Sequence, residues 1–295
     1  MRQRVKHCYY RLSARRLNYS LDLLQTYFMH ISRYLERIKY DGVVYNDLAT
    51  LESLQYKHIF AIPFETLDIY NHVPIVLQIE ALYKKVILGN RGGYCYELNV
   101  LFHHLLSVCG FKVSMIGGRL LHGHGYGRPF EHMALIVELE DQKWLVDVGY
   151  GDFSLKPLAI IPGAVQSDGR TTYQIIEKVV DGEEYLAVAK WKARKKAFKD
   201  EYIFTLTPRV LQEFSAMNHF HQTSPESHFA RSLICSLPTP EGRISIINNK
   251  FMISENGDRQ VKAILNETHR EEILKQYFYG AELTVPQEMG VFRDR

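Results

Sequence analysis

Cys95 is the residue in this chain best placed for covalent chemistry. It follows the run Gly89-Asn90-Arg91-Gly92-Gly93, which reads as a loop. It opens a segment in which Leu98, Leu101, Phe102, Leu105, Leu106 and Cys109 recur at helical spacing until Gly110 stops them. A cysteine in the first turn of a helix meets free backbone N–H groups and the positive end of the helix dipole. Both favour the thiolate, the form that attacks carbonyls, and the same N–H groups suit a developing oxyanion. Cys109 falls on the apolar face of that helix and reads as core. Cys8 and Cys235 have no comparable setting.

A cysteine nucleophile needs a base, and the base needs an orienting group. Among 13 histidines, His103 and His104 fall within the Cys95 helix, and His122 and His124 in a glycine-rich loop. His132 stands at the mouth of an apolar strand, Met133–Leu139. Asp147 interrupts the apolar run Trp144-Leu-Val-Asp-Val148, where an unpaired carboxylate is costly and demands a partner. If these two strands form a hairpin across Asp141-Gln142, His132 and Asp147 share a face. That turn, however, pairs residue 136 with Asp147 and leaves His132 two rows further along. Contact then needs a bulge, a strong twist or a different pairing, and Asp152, in the following loop, is the rival for the third role.

The elements that must position these groups change character along the chain. Leu21, Leu24, Tyr27 and Phe28, then Ile31, Tyr34, Leu35 and Ile38, recur at helical spacing, and Asp47 opens a second helix ending near His58. From Phe111 the period becomes two, with strands expected at 113–115, 133–139, 144–148, 171–176 and 185–189. Short strands near 244–247 and 251–253 and a helix over 266–277 close the chain. No internal repeat and no low-complexity linker is visible.

Bulk properties bound the function classes. A chain of 295 residues, 46% hydrophobic and 23% charged, is an ordinary globular protein with room for two or three lobes. A net charge of +3 is too small to suggest nucleic acid, yet does not repel a polyanionic ligand. The 4 cysteines form no zinc knuckle, redox CxxC or disulfide scaffold, so reduced thiols, a cytoplasmic location and no metal are expected. No run approaches the roughly 18 apolar residues of a membrane helix. Residues 1–16 are basic and lack acids (Arg2, Arg4, Lys6, Arg11, Arg15, Arg16), a composition shared by transit peptides and by plain N-terminal arms.

The segment Arg91-Gly-Gly-Tyr-Cys95-Tyr-Glu-Leu-Asn99 closely resembles the active-site signature of the arylamine N-acetyltransferase family. His58-Ile-Phe-Ala-Ile-Pro-Phe64-Glu65-Thr-Leu-Asp68 resembles that family's upstream block, with Thr66 in place of the usual Asn. Glu131-His132-Met-Ala and Val146-Asp147-Val-Gly149 resemble the blocks holding its histidine and aspartate. Asn218-His-Phe220-His-Gln-Thr223-Ser224-Pro225 and Thr239-Pro-Glu-Gly242 resemble its third-domain motifs. The similarity runs from about Met29 to near the C-terminus.

The resemblance implies an α+β fold: residues 1–28 as an extension, a helical domain over 29–110, a β-barrel domain over 111–205, and an α/β lid over 206–295. It implies a papain-like triad of Cys95, His132 and Asp147. It also implies acetyl-CoA as donor, and an arylamine, aryl hydrazine or N-hydroxyarylamine as acceptor, in a monomer or weak homodimer. Glu65 and Arg91 match an ion pair that holds the nucleophile loop, and Phe64 and Tyr150 match acceptor-pocket positions. Arg128, Gly151, Phe220, Glu226 and His228 fall where the family contacts CoA. Of these, Phe220, Glu226 and His228 stand where relatives often carry Tyr, Thr and Ser. The same triad logic would serve an amide synthase or a transglutaminase-like acyltransferase or hydrolase with a different acyl donor.

Overall fold

A computed structural model describes residues 31–123 and 125–279. Cys8, the helical pattern at Leu21–Phe28 and the 1–28 extension lie outside them. Among the described residues the chain opens with α1 (31–37), α2 (Leu48–Ala61), a two-residue strand β1 (Phe64–Glu65), α3 (Leu67–Tyr70) and α4 (Ile79–Tyr83). The Asp47 side chain accepts from Thr50 N–H at 2.8 Å and so caps α2, as its sequence position suggests. Helix α5 (Cys95–Val108) begins at Cys95 itself. Tyr94 is extended at its N-cap, and the Glu97 side chain accepts the Tyr94 N–H at 3.1 Å.

A large antiparallel sheet follows: β2 (Lys112–His122), β3 (Gly125–Tyr126), β4 (His132–Leu139), β5 (Gln142–Val146), β6 (Leu158–Ala159), β7 (Val165–Ser167), β8 (Thr172–Val180), β9 (Glu183–Lys192) and β10 (Ala197–Phe204). Its order is β6-β5-β4-β2-β10-β9-β8-β7, with β3 attached to β2. The Gln166 amide on β7 bonds both the N–H and the carbonyl of Ala159 on β6, at 2.7 and 2.8 Å. This side-chain bridge draws the two edges together, and the sheet is a nearly closed barrel.

Strand β4 fixes where His132 lies. It is buried along almost its whole length, and its alternating faces serve two cores. Met133, Leu135, Val137 and Leu139 pack into the core built by α2 and α5. Ala134 and Ile136 point into the barrel with Leu145, Phe153, Tyr173 and Tyr202. His132, of the same parity as Ala134, lies on the barrel side. The apolar run that reads as one strand is thus shared between two hydrophobic cores.

The chain then forms α6 (Ser215–Thr223), α7 (His228–Arg231), four strands and α8 (Glu267–Leu274). The strands are β11 (Ile234–Thr239), β12 (Gly242–Ile247), β13 (Lys250–Glu255) and β14 (Asp258–Ala263). They make a second sheet in the order β1-β11-β12-β13-β14, packed on α8 through Leu237, Ile244, Phe251 and Ile273. Because β1 belongs to this sheet, Phe64 and Glu65 tie the loop before Cys95 to the C-terminal lobe. No helix among the described residues is long and apolar enough to cross a membrane.

Candidate active site

The β4–β5 hairpin differs from the expected one in a way that matters. Its turn is Glu140-Asp141, one residue earlier, with Glu140 in the left-handed region at φ 52°. The register therefore pairs Leu135 with Val146. One step further places Asp147 opposite Ala134, a single diagonal from His132 on the same face. No bulge is needed. The strand stops at Val146, and Asp147 sits at its mouth with its carboxylate on His132: Oδ2 accepts from Nε2 at 2.7 Å. Asp152, by contrast, pairs with Lys190 at 3.0 Å and Arg243 at 3.2 Å.

Both members of this pair are buried, and other donors surround the carboxylate. Asn99 Nδ2 donates to Oδ1 at 3.0 Å, Gly149 N–H donates to the same atom at 2.9 Å, and the Tyr202 hydroxyl donates to Oδ2 at 3.2 Å. Burial, then the neighbouring carboxylate, pushes the Tyr202 phenol up, which keeps it a donor. Four hydrogen bonds thus fix the orientation of one carboxylate. With Nε2–H turned to Asp147, Nδ1 is left as the basic nitrogen of His132. The ring is held edge-on by Tyr150, at 5.5 Å between centroids, and lies 4.9 Å from Tyr202.

Cys95 reaches this pair from the other side of β4, where the Met133 N–H bonds its sulfur. Asn99, one turn along α5, donates to the Met133 carbonyl at 2.7 Å and accepts from Val148 N–H at 3.1 Å. One side chain thereby fastens the nucleophile helix to β4 and to the Asp147 turn. A Cβ at Gly149 would stand 2.7 Å from Cys95 Cα and 2.6 Å from Asn99 Nδ2, so only glycine permits that approach. Burial pushes the Cys95 thiol well up, opposed by the Met133 and Tyr96 N–H groups. A lone thiolate is therefore disfavoured here.

The loop before Cys95 is held by charge. The Arg91 fork grips Glu65 from Nε and Nη2 at 2.7 and 3.0 Å and reaches Asp68 at 2.9 Å. The Glu65 side chain, fully buried, also accepts from Gly92 and Leu67 N–H. Although burial opposes it, Glu65 holds the Arg91 guanidinium firmly charged. Lys85 joins Asp68 at 2.7 Å to Glu97 at 2.8 Å, extending the network to the first turn of α5.

Cys95 and His132 open on one cavity of about 1130 Å³. Phe64, Tyr150, Gly151, Arg128, Phe220, Glu226 and His228 also line it, so the residues expected to meet ligands share the cavity of Cys95. Glu65 and Arg91 stand behind it. Gly151 adopts φ 90°, and a Cβ there would press on the Phe64 ring at 3.3 Å.

Residues 47–286 match the sequence profile of the N-acetyltransferase family. The chicken arylamine N-acetyltransferase pineal gland isozyme NAT-3 is 32% identical over 273 residues, 85% of this chain and 93% of its own. The chain belongs to the arylamine N-acetyltransferase family. Human arylamine N-acetyltransferase 2 is 31% identical with the same coverage of each chain. The solved structure of the Mycobacterium abscessus enzyme superposes with a TM-score of 0.78 at 28% identity, over 86% of this chain and 90% of that one. That of Mycobacterium marinum arylamine N-acetyltransferase in complex with CoA gives 0.76 at 27%, over 84% and 92%.

In this member of the family several supporting residues escape a linear reading. Asn99 and Tyr202 touch Asp147 only through the tertiary fold, and Glu201 holds Tyr150 by accepting its hydroxyl at 2.7 Å. His221 on α6 lines the cavity and turns Nε2–H to the Glu131 carbonyl at 3.0 Å. Burial lowers its pKa to about 4, so it is neutral near pH 7. Tyr94 and Tyr96, on either side of Cys95, bond Asn218 and the Phe130 carbonyl. Periodicity gave no sign of these pairings.

Proposed function

We propose that the enzyme transfers acetyl groups from acetyl-CoA to arylamines and aryl hydrazines, and to the oxygen of N-hydroxyarylamines, through an acetyl thioester on Cys95. The observation that carries this reading is the His132–Asp147 pair at 2.7 Å, with His132 lining the same cavity as a cysteine at the head of a helix. The Mycobacterium marinum structure in complex with CoA supports the choice of donor.

Cys95 gives its proton to Nδ1 of His132, and the resulting cation is stabilised by Asp147. The thiolate attacks the acetyl carbonyl, the S–CoA bond breaks, and His132 returns the proton to the departing sulfur. In the second half the acceptor nitrogen attacks the acetyl-cysteine. His132 takes the proton it sheds, and Cys95 leaves as thiolate. Backbone N–H groups in the first turn of α5 serve the developing oxyanion. Phe64 and Tyr150 offer aromatic faces to a flat acceptor. The described residues from 206 onward act as a lid, since α6 and α7 contribute Phe220, His221, His228 and Phe229 to the cavity wall.

Steady-state kinetics with an arylamine and acetyl-CoA test the scheme. Parallel double-reciprocal lines are expected. Intersecting lines, with both substrates required before any CoA release, would sink it.

A further inference from the structure

At the same cavity, two opposite charges meet that the chemistry at Cys95 does not use. Arg128 donates from Nη2 to Glu226 Oε2 at 2.6 Å, and its guanidinium lies over the Phe220 ring at 4.4 Å from the centroid. Their side chains are 56% and 70% exposed. The other charged groups lining the cavity are already engaged. His122 bonds Glu131 at 2.9 Å, Asp152 holds Lys190 and Arg243, and Arg231 rests on the carbonyls of Ser227 and Glu226. Burial, with Arg231 and His122 adding repulsion, holds His228 below the usual histidine range. A guanidinium carries five N–H donors, and the contact with Glu226 occupies a single one. A guanidinium lying on an aromatic face, with donors to spare, suits a phosphate.

We propose that Glu226 sets donor specificity: its carboxylate occupies Arg128 in the free enzyme, and a phosphate-bearing thioester must displace it or bind beside it. The cation that would hold the donor's anionic handle is thus half-neutralised by the protein itself. Retention of the polyanionic product CoA after transfer is weakened by the same contact. This inference rests on the acetyl-CoA reading above and names the residue that opposes that donor at its charged end. Removing the carboxylate frees Arg128 and removes a repulsion. For exposed, screened charges the effect is roughly three- to fivefold in Kd at low salt, fading as the Debye length shrinks.

The test pairs calorimetric titration of CoA with kcat/KM for acetyl-CoA and for S-acetylpantetheine, a thioester without phosphates. Glu226→Gln is expected to bind CoA roughly three- to fivefold more tightly at about 0.01 M ionic strength, with the gain largely lost near 0.5 M. The ratio of kcat/KM for acetyl-CoA over acetylpantetheine should rise by the same factor, and Arg128→Gln should lower it. Unchanged or weaker CoA binding by Glu226→Gln, or equal shifts for the two donors, overturns the proposal. Wild-type protein that binds CoA while Cys95 stays unacetylated would refute the proposed function, and the charge test could still succeed. Normal acetylation with an indifferent Glu226→Gln would refute this inference alone.

Discussion

Replacing Asp147 with Asn isolates the electrostatic part of the site, because the volume and half of the hydrogen bonding survive. Asn retains an acceptor for Asn99 Nδ2 and Gly149 N–H, which the native Oδ1 receives at 3.0 and 2.9 Å. The other native oxygen takes His132 Nε2–H at 2.7 Å and the Tyr202 hydroxyl at 3.2 Å. An amide NH2 in its place meets two donors. The Tyr202 hydroxyl can rotate, but the imidazole can comply only by moving its proton to Nδ1. Nδ1 then carries a hydrogen and cannot receive the one from Cys95. The cation that must form also loses its carboxylate. A wrong tautomer and a lost counter-charge together cost roughly 10³–10⁴ in rate, about 4–5.5 kcal/mol of barrier.

The assay is single-turnover acetylation of Cys95 followed by mass, with the thermal midpoint as a control for folding. Alkylation against pH gives a second reading. Paired to His132, wild-type Cys95 should alkylate at a rate nearly flat around neutral pH. With the pair disrupted, the upward push of burial on the thiol should dominate, and alkylation should be slow at neutral pH and climb steadily with pH. Folded Asp147→Asn that acetylates within about tenfold of wild type would refute the tautomer argument.

Other substitutions probe the supports. Arg91→Met strips two charge-assisted bonds from the fully buried Glu65 carboxylate. It should cost about 3 kcal/mol, or roughly 6–12 °C in thermal midpoint, with Arg91→Lys recovering part of the loss. An unaltered midpoint would mean that the ion pair holds nothing. Asn99→Ala leaves the Met133 carbonyl and Val148 N–H without this partner and should lower stability by about 2–4 kcal/mol. Acetylation should slow more than folding loss explains, which single-turnover kinetics below the midpoint would reveal. Burial, opposed mainly by Lys85, raises the Glu97 carboxyl from 4.5 to about 7. The folded state then holds this proton more tightly than the unfolded one. Its contribution is full below about pH 4.5 and is lost as pH rises through about 7, on the order of 3 kcal/mol at most. Thermal midpoints of Glu97→Gln relative to wild type should therefore improve from pH 5 to 8, and a pH-independent difference would contradict the assignment.

The local features of this site were legible in the sequence. Gly92, Gly93 and the apolar spacing after Cys95 place the cysteine at a helix start, and α5 begins there. The run Met133–Leu139 reads as a strand because both of its faces are apolar, and both are buried. The hairpin register is not legible because the residue that takes the left-handed turn position is Glu140, not a glycine or asparagine. Nothing in its type announces φ 52°. A turn one residue later shifts the pairing by two, so that contact needs a bulge, a strong twist or a different pairing, and the structure has the different pairing. Asn99, Tyr202 and Glu201 were missed for another reason. Their partners are 48, 55 and 51 positions away in the chain, and a polar residue in a helix or strand carries no mark of what it will meet. The Glu65–Arg91 pair was recognised from family resemblance, and its link through Asp68 and Lys85 to Glu97 emerges only from the fold.

The most direct test of the central claim is the intact mass of the protein after mixing with acetyl-CoA alone, beside a Cys95→Ser control. A gain of one acetyl group on the wild type only, discharged when an arylamine is added, is the predicted result. No mass gain on a wild-type protein whose Cys95 still alkylates readily would contradict the acetyl-CoA account. Acetylation of the Cys95→Ser control to the same extent would contradict the assignment of the nucleophile.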